Sequence, residues 1–427
     1  MTFSRHDDIT INRRGGFSRR SFLRRVSATA AVAGTLSFRD LMSLQAAELR
    51  KQGRAMILLW MAGGPSHLDT FDPKPKHKNS GETKAIKTAV SGIQIAHNWT
   101  ETAKVMKEIA LIRSMTNKEG NHRRATYQMH TGYVPSGSIK HPSLGACIAK
   151  ELADPNFDLP SVVSIGSTIG AGFLGVDYEP FNVDQPGALP RDVANPVSTD
   201  RFKRRDSLLK SLESDFSDRG GRVVVNNHKR LYKKASKLVL SPEVKAFSFD
   251  DEPQSLQKAY GNTTFGKGCL LARRLIEAGS TFVEVQSRNW DHHTDVFGRM
   301  KTMAGQVDPA MATLITDLKQ RGMLEKTLVV WMGEFGRTPQ VSARGGRNHY
   351  PRAFNALMAG GGVKGGQVIG STNKEGTAVK NNPVTTPDLF TSICKSLKVN
   401  PAKENMSPLG RPMKIVDGGK VIKGLFS

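Results

Sequence analysis

Apolar residues in this chain fall into short unbroken runs, separated by longer stretches in which they recur every three or four positions. The unbroken runs are Ala55–Met61, Ile109–Ile112, Ser161–Ile165, Phe282–Gln286, Leu328–Met332 and Phe354–Ala359. Runs of this length, continuous rather than alternating, predict strands buried on both faces. The recurring pattern predicts helices over Thr126–Thr131, Ser143–Leu152, Gly266–Ala278, Val296–Arg321 and Pro387–Leu397, with Ser143 as a cap behind Pro142. In the longest, Val296, Met300, Met303, Val307, Met311, Leu314 and Leu318 share one face, which makes them core residues. Strands alternating with helices imply an α/β fold with a largely parallel sheet covered on both sides. Three stretches interrupt that rhythm. Residues 73–100 are polar and Lys-rich and read as an excursion loop with one short helix. Residues 166–196, rich in Gly, Pro and Asn, read as a long surface loop, and 198–260 as basic amphipathic helices forming a cap or insertion. The order of the strands in the sheet is left open.

A chain of 427 residues with 38% hydrophobic and 23% charged residues has enough apolar material for a sizeable core. Its formal net charge of +24 is unusual. Eight Arg and three Asp in residues 1–46 account for +5, so the remainder is itself basic at +19. That favours anionic partners: phosphate or sulfate esters, acidic polysaccharide, nucleic acid or lipid headgroups. The basic residues lack the aromatic interleaving of a strand-binding groove, which argues against nucleic acid. Three widely spaced cysteines, Cys147, Cys269 and Cys394, cannot form a complete disulfide framework and read as buried free thiols.

Ser18-Arg19-Arg20-Ser21-Phe22-Leu23-Arg24 matches a twin-arginine export signal, followed by the weakly apolar Val26–Leu36 and small residues at Ala46-Ala47. Residues 1–46 are therefore expected to be a signal peptide handled by the twin-arginine translocase. Residues 47–427 would be one exported domain, periplasmic or extracellular, with an insertion at about 166–260. Eleven apolar residues are too few to span a bilayer, and no later stretch approaches the ~18 a span needs. The mature chain is expected to be soluble or peripheral.

The chemistry gathers where strands end. Met56–Met61 runs into Gly63-Gly64-Pro65-Ser66-His67-Leu68-Asp69, Phe282–Gln286 into Trp290-Asp291-His292-His293, and Leu328–Met332 into Gly333-Glu334-Phe335-Gly336-Arg337. Arg347-Asn348-His349-Tyr350-Pro351 follows. Ligands of open α/β sheets bind outside the carboxyl ends of strands, so these acids and imidazoles are candidates for one metal site or two. A lone His in a loop is more often a surface group, and Glu334 is equally able to pair with Arg337; recurrence at three strand ends is what favours a site. The glycines at 360–365 and 261–268 fit neither a dinucleotide loop nor a P-loop, since the required strand, helix or hydroxyl is missing. Ser66, Asp291 and His349 stand in the chain order of an α/β-hydrolase, but Gly64-Pro65-Ser66-His67-Leu68 lacks the second glycine of a nucleophile elbow. A serine hydrolase remains an alternative.

The segments LLWMAGGPSHLDTFDPKP, NHRRATYQMHTGY, NWDHHTDVF, GEFGRTP and GRNHYP together resemble the domain-of-unknown-function 1501 family, related to the sulfatase and alkaline phosphatase superfamily. The resemblance covers nearly the whole chain after residue 54. It implies an alkaline-phosphatase-like α/β/α sandwich that binds a divalent ion (Zn, Mn, Mg or Ca) and acts on sulfate or phosphate esters. Asp291, His293 and His349 are the implied ligands, with Asp69 and Glu334 as further ligands or neighbours. The family pattern is departed from at Asn348, which stands where an Asp is usual, and at Glu334-Phe335, which replaces Asp-His. Near the position of the usual Cys or Ser nucleophile stand Asn121 and His122, neither of them that nucleophile, which leaves a metal-activated water, His122 itself as the catalytic group, or a fold that has lost hydrolysis. Arg123, Arg124 and Arg337 are the expected donors to an anionic small molecule or polysaccharide. The competing class is a non-catalytic binder of anionic polymer or cell surface on the same fold.

Overall fold

A computed structural model describes residues 53–426, apart from 155–156, 191–192, 194–196 and 218–221. The expected signal peptide lies outside the described residues. The six unbroken apolar runs become strands of one nine-stranded sheet, joined by three short strands outside those runs: β1 Ala55–Met61, β2 Ile109–Thr116, β3 Val162–Ile165, β4 Phe181–Val183, β5 Phe282–Ser287, β6 Thr327–Met332, β7 Phe354–Ala359, β8 Gln367–Ile369 and β9 Val384–Thr385. Their order is β8-β2-β7-β6-β1-β5-β3-β4, with β9 also pairing with β2. Every pairing is parallel except the two made by β7, which runs antiparallel to both β6 and β2.

The helices that matter for layering are α1 His122–Thr131, α2 Leu144–Leu152, α3 Thr199–Phe216, α4 Arg222–Leu240, α5 Thr264–Ala278, α6 Val296–Gln320 and α7 Thr386–Leu397. Successive side chains on a strand point to opposite faces, and β1 shows the consequence. Ile57, Leu59 and Met61 belong to a core shared with Cys269 and Leu271 of α5 and Met300 and Leu314 of α6. Met56, Leu58 and Trp60 belong to a second core with Ile148 of α2 and Leu389 and Phe390 of α7. Burial on both faces is why the strand reads as continuously apolar, and it makes the molecule a three-layered α/β/α sandwich. All seven stripe residues of α6 are buried, as the spacing requires. Ser143 caps α2 by accepting from the Ala146 N–H at 3.2 Å. The three cysteines are free and buried.

Two sequence expectations need correction. Residues 73–100 hold a single 3₁₀ turn, Lys78–Ser80, and an antiparallel hairpin, Ala85–Lys87 with Gln94–Ala96. Ile95 is fully buried and Gly92 at φ 82° supplies the turn, so a period of two wins over the helical reading. The stretch 166–196 is not all loop, because β4 pairs parallel with β3 at the sheet edge. Within 198–260, α3 and α4 form a helical pair, and Arg230 on α4 reaches Asp177 at 3.0 Å. No helix among the described residues is long and apolar enough to cross a membrane.

Candidate metal centre

The topology explains why residues so distant in sequence meet. β1, β5, β6 and β2 point the same way, so the loops after Met61, Ser287, Met332 and Thr116 all leave from one edge. β7 runs the opposite way, so that edge receives the segment leading into it. His349–Tyr350 sits there, paired antiparallel with Gly336–Arg337. His122 opens α1, one loop after β2. The loop after β5 is tightly shaped: Asn289 (φ 71°) and Asp295 (φ 44°) are two of four non-glycine residues among those described with positive φ, and they flank Asp291–His293. Gly63, at φ 119°, lets the β1 loop lie against this one, since a Cβ there would come within 2.5 Å of the Asp291 nitrogen.

Asp291 Oδ1 is the focus. His293 Nε2 lies 2.9 Å from it, His122 Nε2 and His349 Nε2 each 3.3 Å, and Arg337 Nη2 2.5 Å. His122, Asp291 and His349 each offer a ligand atom within 4.8 Å of the others. The opposite nitrogen of every ring is tied down. His122 Nδ1 bonds Glu334 Oε1 at 2.6 Å, His349 Nδ1 bonds the Gly120 carbonyl at 2.9 Å, and His293 Nδ1 bonds Asn348 Oδ1 at 3.1 Å. Each partner is an acceptor, so each Nδ1 carries the hydrogen, and in the neutral ring each Nε2 presents a lone pair toward Asp291. Two of those nitrogens, on His293 and His349, lie 3.1 Å apart. Three neutral imidazoles around one carboxylate form a ready donor set for a cation, and an Nδ1 held by a carboxylate or carbonyl is the usual arrangement of a metal-ligating histidine. The donor set therefore fits a metal. Phe335 forms an apolar wall, 4.8 Å from the rings of both His122 and His349.

The electrostatics agree with an ionised focus. Burial works against the Asp291 charge, but Arg337, with help from His122 and His293, holds its pKa down at about 2. The hydrogen bond to Glu334 outweighs burial and raises His122, while burial lowers His349. Burial also drives the neighbouring His292 down to about 4, and its Nε2 bonds the Asn289 carbonyl at 2.8 Å, away from the cluster.

Several expected site residues are placed elsewhere. Asp69 is fully buried and gripped by Arg347, with Oδ2 2.8 Å from Nε and Oδ1 3.2 Å from Nη2. Thr83 also bonds Oδ1, so the carboxylate is engaged within the protein and buried away from the edge. His67 bonds the Gly376 carbonyl at 2.9 Å. Glu334 comes to the site through His122 and the Gly63 N–H, at 2.9 Å, so it orients a ligand. Arg337 is buried and directs its guanidinium at the Gly63, Gly64 and Arg347 carbonyls and at Asp291, leaving no fork for a substrate. Arg124 pairs with Glu119 at 2.8 and 2.7 Å. Asn121 caps α1, accepting from the Arg124 N–H. Ser66 is buried and its hydroxyl meets only the Asp69 N–H, at 3.4 Å; no hydrogen bond joins it to His349, so the triad order in sequence is not a triad in space. The structure thus brings together Asp291, His293, His349 and His122, the last expected as a catalytic residue rather than a ligand. The signal for its proximity to the edge was the family resemblance, which put Asn121 and His122 near the position of the usual nucleophile.

These features define the class: a three-layered α/β/α protein whose sheet carries a histidine–carboxylate cluster at its carboxyl edge. The chain belongs to the DUF1501 family, described as proteins of unknown function, whose model matches residues 53–426. No curated protein matches it. Among solved structures, it is similar to a PsFucS1 sulfatase from Pseudoalteromonas sp. (14% identity, 84% of this chain and 70% of that one, TM-score 0.37). It is also similar to TAB5 alkaline phosphatase (14%, 82% and 100%, TM-score 0.36). A third is the phosphonate monoester hydrolase of Agrobacterium radiobacter (12%, 87% and 77%, TM-score 0.32). Likenesses this distant assign no activity, and the architecture stands on its own strand order.

Proposed function

We propose that this protein is an exported, metal-dependent hydrolase of phosphate or sulfate esters, working at the Asp291 cluster. The observation that carries the reading is the convergence of three imidazole Nε2 atoms on one carboxylate oxygen, with every Nδ1 held by an acceptor. His122, Asp291 and His349 would hold the ion, with His293 beside them. A nitrogen-rich set of this kind suits Zn or Mn better than Ca or Mg, which take oxygen ligands. When bound, a divalent ion supplies Lewis-acid polarisation of the ester and charge to offset its negative oxygens.

The chain's own residues supply the rest. Arg337 keeps Asp291 ionised and in place, and Glu334 fixes the His122 ring. Arg123, exposed on the first turn of α1 beside His122 and without an ion-pair partner among the described residues, offers a free guanidinium fork to an anionic group. The side chains of Asp291, His293, His122 and His349 remain 45%, 43%, 33% and 29% exposed, so a substrate can reach them. The basic body draws anions toward the edge. Export rests on the Ser18–Arg24 motif and the apolar segment behind it. A panel of aryl phosphate, phosphonate and sulfate esters, with Zn, Mn, Mg or Ca added in turn, tests the reading. The expected result is turnover of one ester class that needs an added ion and disappears in His349→Ala. Absence of turnover with every ester and ion, together with salt-sensitive binding to acidic polysaccharide, overturns it in favour of a binding protein.

A further inference from the structure

The helical pair α3 and α4 carries seven of the twelve large hydrophobic side chains that are exposed among the described residues. On α3 they form a line. Leu208, Leu212 and Phe216, four residues apart, are 64%, 62% and 57% exposed, and steps of four keep them on one face over about 12 Å. Arg204 continues the same line one turn earlier, with Arg201 and Arg205 close beside it; all three are exposed and none has an acidic partner among the described residues. On α4, Val224 and Leu231 are 67% and 46% exposed, and the helix holds six Lys or Arg and no Asp or Glu. Arg230, Lys234 and Lys237 are engaged with Asp177, the carbonyls of 176–177, and Asp158. That leaves Arg222, Lys229 and Lys233. The His228–Glu213 contact sets the register of the pair, which puts Leu212 at about the height of Lys229 and Leu208 at about that of Lys233.

We infer that this helical pair is a docking surface for an anionic phospholipid bilayer, with the Leu208–Leu212–Phe216 line entering the headgroup boundary and the flanking cations meeting lipid phosphates. The inference is independent of the hydrolase reading. Apolar side chains next to unpaired Lys and Arg are what an interfacial helix needs, with burial of the first and attraction of the second adding together. A hydrated polyanion such as acidic polysaccharide would use the cations but gives three exposed apolar side chains nothing to bury against. A second copy would cover the apolar line, yet would press one basic helix pair against another in a chain of net charge +24. The lipid surface satisfies both features.

Co-sedimentation of the full chain with phosphatidylglycerol-containing vesicles, against pure phosphatidylcholine vesicles, tests it. Two variants are compared with wild type: Leu208→Ser/Leu212→Ser/Phe216→Ser, and Arg201→Gln/Arg204→Gln/Arg205→Gln. All six side chains are exposed, so thermal denaturation is expected to find both variants folded. Residues 1–52 are common to the three proteins, so a difference among them arises in the helical pair, and phosphatidylglycerol binding is compared after subtracting that of a variant with both triple substitutions. The expected result is partition onto anionic vesicles that falls at least about tenfold in each variant, and that weakens with salt. Equal partition of all three proteins overturns the inference. So does a concentration-dependent dimer in sedimentation that the apolar variant abolishes without any change in vesicle binding.

Discussion

Two arginine–aspartate pairs, their arginines ten residues apart, sit at the same edge of the sheet and do opposite things. In the pair Asp69–Arg347 both side chains are fully excluded from solvent, and each polar atom is consumed. Arg347 bonds the carbonyls of Asn79 (2.8 Å), Thr338 and Pro339 as well as both carboxylate oxygens. In the pair Asp291–Arg337 the arginine is equally buried, but the aspartate is 45% exposed and faces three imidazole lone pairs. The two are even linked, since Arg337 Nη1 donates to the Arg347 carbonyl at 3.1 Å. Residue type and strand-end placement are the same in both. Saturation distinguishes them: in the first cluster every polar atom is bonded within the protein and holds the loops together, while the second leaves a half-exposed carboxylate and three imidazole Nε2 atoms facing one another.

The sharpest break of this comparison comes from removing each aspartate. Asp69→Ala leaves Arg347 as an uncompensated buried charge and is expected to cost about 3–5 kcal/mol of stability. Asp291→Ala also strands a buried guanidinium, Arg337, but removing a 45% exposed carboxylate opens that guanidinium to water, so the cost should be smaller, about 1–2 kcal/mol. Urea denaturation of the two variants decides whether the pairs differ as claimed; equal losses would erase the distinction. A second prediction asks whether Glu334 acts through His122. Glu334→Gln keeps the size of the side chain but weakens the hold on the ring, and should lower metal affinity about 10–100-fold, as read by titration calorimetry, with little change in the denaturation midpoint.

The smallest effect concerns a third, wholly buried pair, His130 Nε2 with Glu284 Oε1 at 3.1 Å, which belongs with the saturated class. Burial alone would lower His130, but Glu284 outweighs it and the net shift is upward. A raised histidine contributes stability that is full below its unfolded value, ordinarily ~6.5, and is lost as pH rises through the folded value. The stability difference between wild type and His130→Gln, followed by thermal melts, should therefore shrink as pH rises above neutral. A difference that grows with pH would contradict the assignment.

Much of the fold was legible because burial on both faces leaves a plain mark. The runs at 55–61, 282–286, 328–332 and 354–359 needed no knowledge of their partners to be read as strands. What could not be read was pairing. Nothing in Phe354–Ala359 announces that it runs against its neighbours, yet that reversal is what delivers His349 to the edge. Asp291 and His293 were legible since they follow a strand directly. Asp69 looked equivalent and was not, because its neutralising partner, Arg347, lies 278 residues away. Arg337 misled for a related reason. A guanidinium beside acids suggests substrate binding, and only the backbone carbonyls of Gly63, Gly64 and Arg347, which no sequence pattern displays, show that its donors are spent. The hairpin at 85–96 was missed because its strands are three residues each, too short for a period of two to stand out.

The central claim is that the imidazoles around Asp291 hold a divalent ion. The direct measurement is metal stoichiometry and affinity, by calorimetry and elemental analysis, of wild type beside Asp291→Ala/His349→Ala, with Zn and Mn as probes. The account predicts a specific equivalent of metal on wild type that is lost in a variant still folded by circular dichroism. Equal metal content in the two proteins, or none in either, would contradict it.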